Sequence, residues 1–541
     1  MLPRSPQALE TLYNDFSWRI PEKYNIGVDV CDRWAEANPK RTALIVAESS
    51  ARAEWTYGDL KTASDKCAVA LRAHGVERGD RIAILLPQRV ETLICHLTAY
   101  KLGAIAVPLF TLFGVDSLRH RLYDSGAKLC IADRERCCKL NEIRATTPAL
   151  KTVLCVDGTV EGAEDFHAAL ANANAFGFEP VETSAEDPAL LIYTSGTTGS
   201  PKGALHAHRV LLGHLPGVEM SHNLAPQPGD RFWTPADWAW IGGLLNVLMP
   251  ALHHGVPVVA RRFNKFSGEE AFKLLAQEGV RNAFLPPTAL KIMHGVNDPP
   301  TLSMRSVASG GEALGAALQE WGRKVFDVQI NEFYGQTECN MVLSQCDALQ
   351  RGCPGVTGFP VPGHDISVID DAGDRVAMGV EGAIAIRRPN PAMFLEYWND
   401  DAATARKFRG DWLVTGDRGV IDDAETGAIR FIGREDDVIT SSGYRIGPGE
   451  IEDCLLAHPA VRMAGVVGKP DPLRTEIVKA FVVLEPGVAD TGSLTEEIQQ
   501  FVRERMAAHA YPREIAYVAE LPLTTTGKII RAKLREEAGH R

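Results

Sequence analysis

The sequence predicts an α/β protein of more than one domain, and three observations carry that prediction. Its 541 residues exceed what a single hydrophobic core supports. Short apolar runs alternate with helical periodicity through the first half, the pattern of largely parallel sheets flanked by helices. From about Asp365 the texture changes to shorter segments rich in Gly and Asp, which read as antiparallel strands joined by turns.

The elements follow in order. RIAILLP at 81–87 is a buried strand, and RVETLICHLTAYKLG at 89–103 has helical spacing. AIAVPL (104–109), KLCIAD (128–133), KTVLCVD (151–157), PVVAR (257–261) and AFLPP (283–287) are further short strands, each bounded by helical or turn-forming sequence. ISVID, GAIAIR and GAIRFIGR form the antiparallel group. EIEDCLLAHPAV is a helix and KAFVVLEPG a strand of a compact α+β tail that begins after GREDDVI. The boundary is expected at Asp436, giving domains of residues 1–435 and 436–541. No fixed-period repeat or low-complexity block interrupts this order.

Composition narrows the function. With 45% hydrophobic and 23% charged residues, the chain resembles ordinary globular proteins. A formal charge of −12 disfavours general binding to nucleic acid or anionic membranes, while leaving room for a local basic pocket. The eleven cysteines are scattered and contain no CxxC pair, which fits a reducing compartment better than a disulfide framework or a zinc site. The first residues carry no apolar signal-peptide region, and the most apolar stretches, 102–115 and 241–260, are too short or too broken to span a bilayer. A cytoplasmic protein without membrane spans is expected.

The segment TSGTTGSPKG, from Thr194 to Gly203, follows the apolar run ALLIY and precedes a helical stretch. Its glycines permit tight turns that present N–H groups. Thr194, Ser195, Thr197 and Thr198 add hydroxyls, and Lys202 adds positive charge, which together suit a polyphosphate. It is not a Walker A loop, because Gly203 rather than Ser or Thr follows the lysine. Alone, such a run is equally a flexible surface loop.

The order YTSGTTGSPKG, YGQTE (334–338), TGD (415–417), GREDDVI, GYR and TGK (526–528) resembles the adenylate-forming superfamily over nearly the whole chain. SSGYRIGPGEIE and DPLRTEIVKAFVVL look most like its medium-chain acyl-CoA synthetases. The resemblance implies a large multi-subdomain N-terminal domain of mostly parallel sheets plus a distorted antiparallel barrel, and a small mobile C-terminal domain. It implies an AMP-forming acid–thiol ligase that uses ATP, Mg²⁺ and coenzyme A. In the first half-reaction a carboxylate attacks the α-phosphate, so two anions meet and the site needs cations and oriented donors.

Carried position by position, the resemblance gives roles to named residues. Thr194, Ser195, Gly196, Thr197, Thr198, Gly199, Ser200, Pro201 and Lys202 would hold the β- and γ-phosphates. Glu338 would ligate Mg²⁺, and Thr337, beside Gln336, would donate to the α-phosphate. Asp417 would accept both ribose hydroxyls, with Arg434 assisting. Gly311, Glu312 and Ala313, with Glu332, Phe333 and Tyr334, would line the adenine slot. Lys528 would be the cation between carboxylate and α-phosphate, and a target for acylation control. Rotation about Asp436 would then withdraw Lys528 and bring Ser442, Gly443 and Tyr444 to the pantetheine tunnel. Arg445 would move with that loop to the adenylate, and Arg474, Arg503, Tyr511 and Arg513 would meet the nucleotide end of CoA.

For the acid, PADWAWIGGLLNVLMP resembles the family's pocket wall, with Trp238, Trp240, Ile241, Gly242 and Gly243 as candidates. Gly335 stands where acetyl-CoA synthetases carry tryptophan, so the resemblance implies an acid larger than propionate: medium-chain, branched, thioether-containing or aryl. Asp237 is read as a packing or capping acid rather than a holder of an amino group. Homodimer formation falls within the family's range. Three other readings compete: an adenylation enzyme that loads a carrier protein, a luciferase-type oxygenase and a catalytically inactive acyl- or nucleotide-binding regulator. Retention of Lys528, Glu338 and Asp417 together argues against the last.

Overall fold

The computed structural model describes the chain except residues 7, 49–50, 195–200, 264, 313, 351–354, 424–425, 436, 442–443, 472–473, 506–510, 525–526 and 540–541, and describes only the backbone of residues 9, 350, 440, 444, 445 and 450. Among the described residues the principal strands fall into four sheets. The predicted runs at 81–87, 104–109, 128–133 and 151–157 become Arg81–Leu85, Ile105–Pro108, Leu129–Ala132 and Thr152–Cys155. They pair in parallel within an eight-stranded sheet. Each is buried on nearly all residues, which is why these strands read as continuous apolar runs rather than alternating ones.

A nine-stranded sheet stands beside it. Its parallel centre is built from Thr42–Ala47, Val258–Ala260, Phe232–Trp233, Asn282–Phe284, Ser306–Gly310 and Ile330–Gln336, with antiparallel strands at both edges. The largest core joins the two sheets, with Ile82, Leu97, Tyr100, Ile192, Leu215, Leu244 and Val258 in one apolar cluster. The helices Val90–Lys101 and Val210–Ser221, buried almost all round, supply much of that layer. Lys101 is fully buried within it and held by Asp32 at 2.5 Å and Asp65 at 2.8 Å.

The Gly- and Asp-rich region folds as the antiparallel group read from the sequence, with Ile366–Ile369, Glu381–Arg387, Trp412–Asp423 and Ala428–Arg434 in one sheet. That sheet is a five-stranded half-barrel, not a closed one. Another five-stranded sheet lies in the C-terminal part. Its long hairpin Val461–Asp471 and Thr475–Leu484 is backed by the helices Pro448–Leu456 and Arg531–Gly539. No helix among the described residues is long and apolar enough to cross a membrane.

Candidate active site

The strand Pro188–Thr194 pairs antiparallel with Lys202–Ala207, placing Thr194 opposite Lys202. The Gly/Ser/Thr loop is therefore the tip of a β-hairpin, and the helix Val210–Ser221 begins only after the second strand. This corrects the expectation that the loop precedes a helical stretch directly. The cause is the buried run Gly203–Ala207, which satisfies its backbone by pairing with the preceding strand. Lys202 opens the second strand of that hairpin, eight positions before the helix begins. Ser195, Gly196, Thr197, Thr198, Gly199 and Ser200 lie outside the described residues. Pro201 lends its carbonyl to His120 Nε2 at 2.9 Å.

Glu338 follows the strand Ile330–Gln336 in the turn leading to Cys339–Ser344. Its side chain is buried, and Tyr397 donates its phenol proton to Glu338 Oε1. Its backbone carbonyl accepts the Phe394 N–H at 2.8 Å. Partly buried Thr337 precedes it, and Gln336 Nε2 donates to the Thr415 carbonyl at 3.1 Å. The YGQTE turn is thereby tied to the TGD strand. No group of three or more His, Cys, Asp or Glu side chains among the described residues forms a metal cage. A lone carboxylate with one oxygen that takes no donor among the described residues suits Mg²⁺, which keeps its waters and takes substrate phosphates as ligands.

Asp417 lies on the strand Trp412–Asp423, directly opposite Arg434 in the register. Arg434 Nη1 is 3.7 Å from Asp417 Oδ1, and Tyr334 Oη donates to Asp417 Oδ2 at 2.5 Å. Burial raises the Asp417 carboxyl, opposed by Arg434 and the Tyr334 bond. Thr415 holds the strand by donating its hydroxyl to the Ile384 carbonyl at 2.7 Å. Of the adenine-slot candidates, Glu332 accepts the Leu314 N–H at 3.1 Å and is raised to about 6 by burial. Phe333 packs against Phe284 with ring centroids 5.2 Å apart, and Gly311 adopts φ +97°. Ala313 lies outside the described residues.

The tail enters this same site. Lys528 is partly buried, and its Cε lies 3.8 Å from where a Cβ on Gly311 would stand. Its loop is braced by two bonds: the Lys528 N–H to Thr524 Oγ1 at 3.0 Å, and the Thr524 N–H to the Lys528 carbonyl at 2.7 Å. Burial lowers the ammonium's pKa, while Glu312 and Asp417 raise it. Glu312 is itself raised by burial, with Lys291 and then Lys528 opposing. The structure thus brings Lys528, Gly311, Glu312, Asp417, Tyr334 and Arg434 together from segments far apart in the chain.

Sequence reasoning missed Lys407. It follows the helix Asp401–Arg406 and donates its ammonium to the Thr415 carbonyl at 3.1 Å. Burial lowers it, and the charges of Glu338 and Asp417 oppose that. A lysine just after a helix end carries no local signal of this placement. Tyr397 was missed for the same reason.

The acid-pocket candidates separate. Trp238 and Ile241 are core residues, at 1% and 3% exposure. Trp240 is partly exposed and faces the site: its ring lies 3.3 Å from a Cβ built on Gly311 and stacks at a tilt on Phe284, centroids 5.6 Å apart. Gly242 and Gly243 keep Cβ atoms away from Trp240 and from the Asp237 carbonyl. Asp237 accepts the Ala239 N–H at 2.8 Å, a turn contact two residues on and not a helix cap, since the helix that follows starts at Ile241 with Trp240 as its N-cap. At Gly335 a Cβ would stand 2.6 Å from Asn340 Cα and from Met341 N, so a close backbone approach favours glycine there.

Of the coenzyme candidates, Arg503, Tyr511 and Arg513 meet. Arg513 Nη1 donates to Tyr511 Oη at 3.1 Å, and both guanidinium groups lie within 5.6 Å of the tyrosine ring centre. Arg474 stands at the turn of the long hairpin, its N–H bonded to Asp471 Oδ1 at 2.8 Å. Ser442, Gly443 and Asp436 lie outside the described residues, as do the side chains of Tyr444 and Arg445.

Comparison with known proteins agrees with this geometry. Residues 31–398 match the AMP-binding enzyme family, and residues 450–528 match the AMP-binding enzyme C-terminal domain. The chain is 34% identical to acetyl-coenzyme A synthetase of Bacillus subtilis (strain 168), over 97% of this chain and 94% of that protein. It is 33% identical to mitochondrial acyl-coenzyme A synthetase ACSM2 of Rattus norvegicus, over 95% and 92%. Among solved structures, the anthranilate CoA ligase AuaEII in complex with anthranoyl-AMP superposes with a TM-score of 0.87 at 29% identity, covering 96% of this chain and 98% of that one.

Proposed function

This chain belongs to the AMP-binding enzyme family, and on that premise we propose that it ligates a carboxylic acid with an apolar body to coenzyme A. The carboxylate attacks the α-phosphate of ATP and expels pyrophosphate, giving the acyl-adenylate. The CoA thiol then attacks the acyl carbonyl, loses its proton and displaces AMP. The observation that carries the reading is Lys528 seated beside Gly311, with Asp417 and Glu312 acting on its charge. A cation there offsets repulsion between the two reacting anions and neutralises charge that develops on the phosphoryl oxygens. Asp417 and Arg434 would hold the ribose. Glu338 would hold Mg²⁺, which supplies positive charge to the phosphates when bound.

Partly exposed Trp240, backed by the buried ring of Phe284, favours medium-chain, branched, thioether-containing or aryl acids, because the acid's body would lie against the indole. The test is pyrophosphate release with ATP and a panel from acetate to decanoate, with branched and aryl members, each with and without CoA. Acyl-CoA should form best with the apolar acids. Release of pyrophosphate without consumption of CoA would point to a carrier protein as acceptor, and no release with any acid would point to a non-catalytic binder. A flat response across the panel would discard the apolar preference alone.

The second half-reaction needs Lys528 out of the way, and the reading places the hinge at Asp436. Its neighbours are tied on the N-terminal side: the Glu435 N–H bonds the Gly416 carbonyl at 2.8 Å, and the Asp437 N–H bonds the Arg434 carbonyl at 3.0 Å. Asp436→Pro fixes φ near −65°. Adenylate formation should persist within about threefold while thioester formation falls by about a hundredfold, the size of effect a misplaced reacting group has. Equal slowing of both steps in stopped-flow assays would move the hinge elsewhere.

A further inference from the structure

We propose that Tyr397 is a positioning residue for adenylation, joining the lysine at the foot of the phosphate loop to the carboxylate that takes the metal. The inference rests on the roles of Glu338 and Lys202 proposed above, and it names a residue those roles did not include.

Tyr397 is buried, and its hydroxyl donates to Glu338 Oε1. A phenol bonded to a carboxylate is a charge-assisted hydrogen bond, shorter and stronger than a neutral one. It fixes the carboxylate plane and leaves Oε2 without a protein donor among the described residues. On the other side, Lys202 Nζ sits 5.3 Å from the centre of the Tyr397 ring, a cation–π distance. One side chain therefore touches both groups that would meet the triphosphate.

The backbone makes this arrangement rigid. Tyr397 pairs with Ala204, and Glu396 with Leu205, so the short strand Glu396–Tyr397 is hydrogen-bonded to the strand that carries Lys202. The Trp398 N–H bonds the Gly203 carbonyl at 2.7 Å, and the Tyr397 N–H bonds Thr404 Oγ1 at 2.9 Å. Three residues earlier, the Phe394 N–H bonds the Glu338 carbonyl at 2.8 Å. Segment 394–398 is thus stitched to the hairpin on one side and to the YGQTE turn on the other.

The test uses Tyr397→Phe, Tyr397→Leu and Glu338→Gln in the full-length protein. Binding of Mn²⁺·ATP is followed by electron paramagnetic resonance, with AMP binding by calorimetry as the metal-free control. Tyr397→Phe should weaken Mn²⁺·ATP about fivefold and raise the Mg²⁺ needed for half-maximal pyrophosphate exchange by a similar factor. AMP affinity and kcat at saturating Mg²⁺ should stay within about twofold. Tyr397→Leu, which also removes the ring under Lys202, should raise the KM for ATP about tenfold. The Tyr397→Phe/Glu338→Gln double variant should be no worse than Glu338→Gln, because contacting partners are not additive. Unchanged metal dependence in Tyr397→Phe beside impaired Glu338→Gln would overturn this inference alone. Unchanged metal dependence in Glu338→Gln would overturn the reading of Glu338 with it. Equal losses of ATP and AMP affinity would make Tyr397 a structural strut and likewise overturn the proposal.

Discussion

Lys528→Ala should lower acyl-adenylate formation by about a thousandfold, at the upper end of what removing one oriented charge-stabilising group costs. Lys528 Cε lies beside Gly311, and the ammonium is inside the field of Glu312 and Asp417. Without it, two carboxylates face an incoming carboxylate and a triphosphate with one cation fewer. Lys528→Arg should recover little, because a planar guanidinium does not reproduce the position of a compact ammonium. Conversion of a supplied acyl-adenylate to acyl-CoA should survive within about threefold, since Lys528 takes no part in thiol attack on this reading; that bound corresponds to about 0.6 kcal/mol of indirect disturbance. Acylation of the lysine, which removes its charge, should reproduce the alanine effect.

The pH dependence carries a sign. Burial is the largest influence on Lys528 and lowers its pKa, so it loses its proton at lower pH than a solvated lysine. Adenylation should therefore decline on the alkaline side before a free lysine would titrate, and Lys528→Ala should lack that limb. The thioester step should show no matching limb. Equal loss of both half-reactions in Lys528→Ala, or an unchanged alkaline limb in that variant, would remove the lysine from the chemistry.

Local pattern made much of the fold legible. The runs RIAILLP and KLCIAD became parallel strands because burial on both faces leaves a continuous apolar signature that needs no knowledge of the partner strand. The Gly/Ser/Thr segment stood out in composition, but its setting did not, since ALHA reads as easily into a helix as into the second arm of a hairpin. Partners across space were not legible. Tyr397 and Glu338 are 59 positions apart, and no periodicity links them. Lys407 and Lys101 resemble surface lysines of helices until the fold closes over them. Lys101 is tolerated inside because Asp32 and Asp65 pair with it, as a buried charge requires. For Lys528, Asp417 and Glu338 the ordered motifs carried the assignment, and the structure then placed Lys528 beside Asp417 and tied Glu338's turn to Asp417's strand through Gln336.

Gly335→Ala should already damage the enzyme, and should do so equally for every acid. The strands Ile330–Gln336 and Cys339–Ser344 change register between Tyr334 and Gln336, so Gly335 sits at an irregularity where strand glycines typically occur. A Cβ there would meet Asn340 Cα, Asn340 Oδ1 and Met341 N, each at 2.6 Å. Two of those are backbone atoms of the paired strand, which cannot swing aside as a side-chain tip would. Asn340 is also fixed by its bond to Asn246 Oδ1 at 2.8 Å. Overpacking of this kind costs roughly 1–3 kcal/mol, and the displaced turn carries Thr337 and Glu338. Thermal stability should fall, and kcat/KM should drop by about tenfold for acetate, hexanoate and benzoate alike, since about 1.4 kcal/mol corresponds to that factor. Gly335→Trp should be worse on both counts and should not convert the enzyme to an acetate preference. The opposite pattern, with alanine harmless and tryptophan selectively excluding the longer acids, would mean that the side chain escapes into the acid pocket. The backbone explanation would then have to be abandoned.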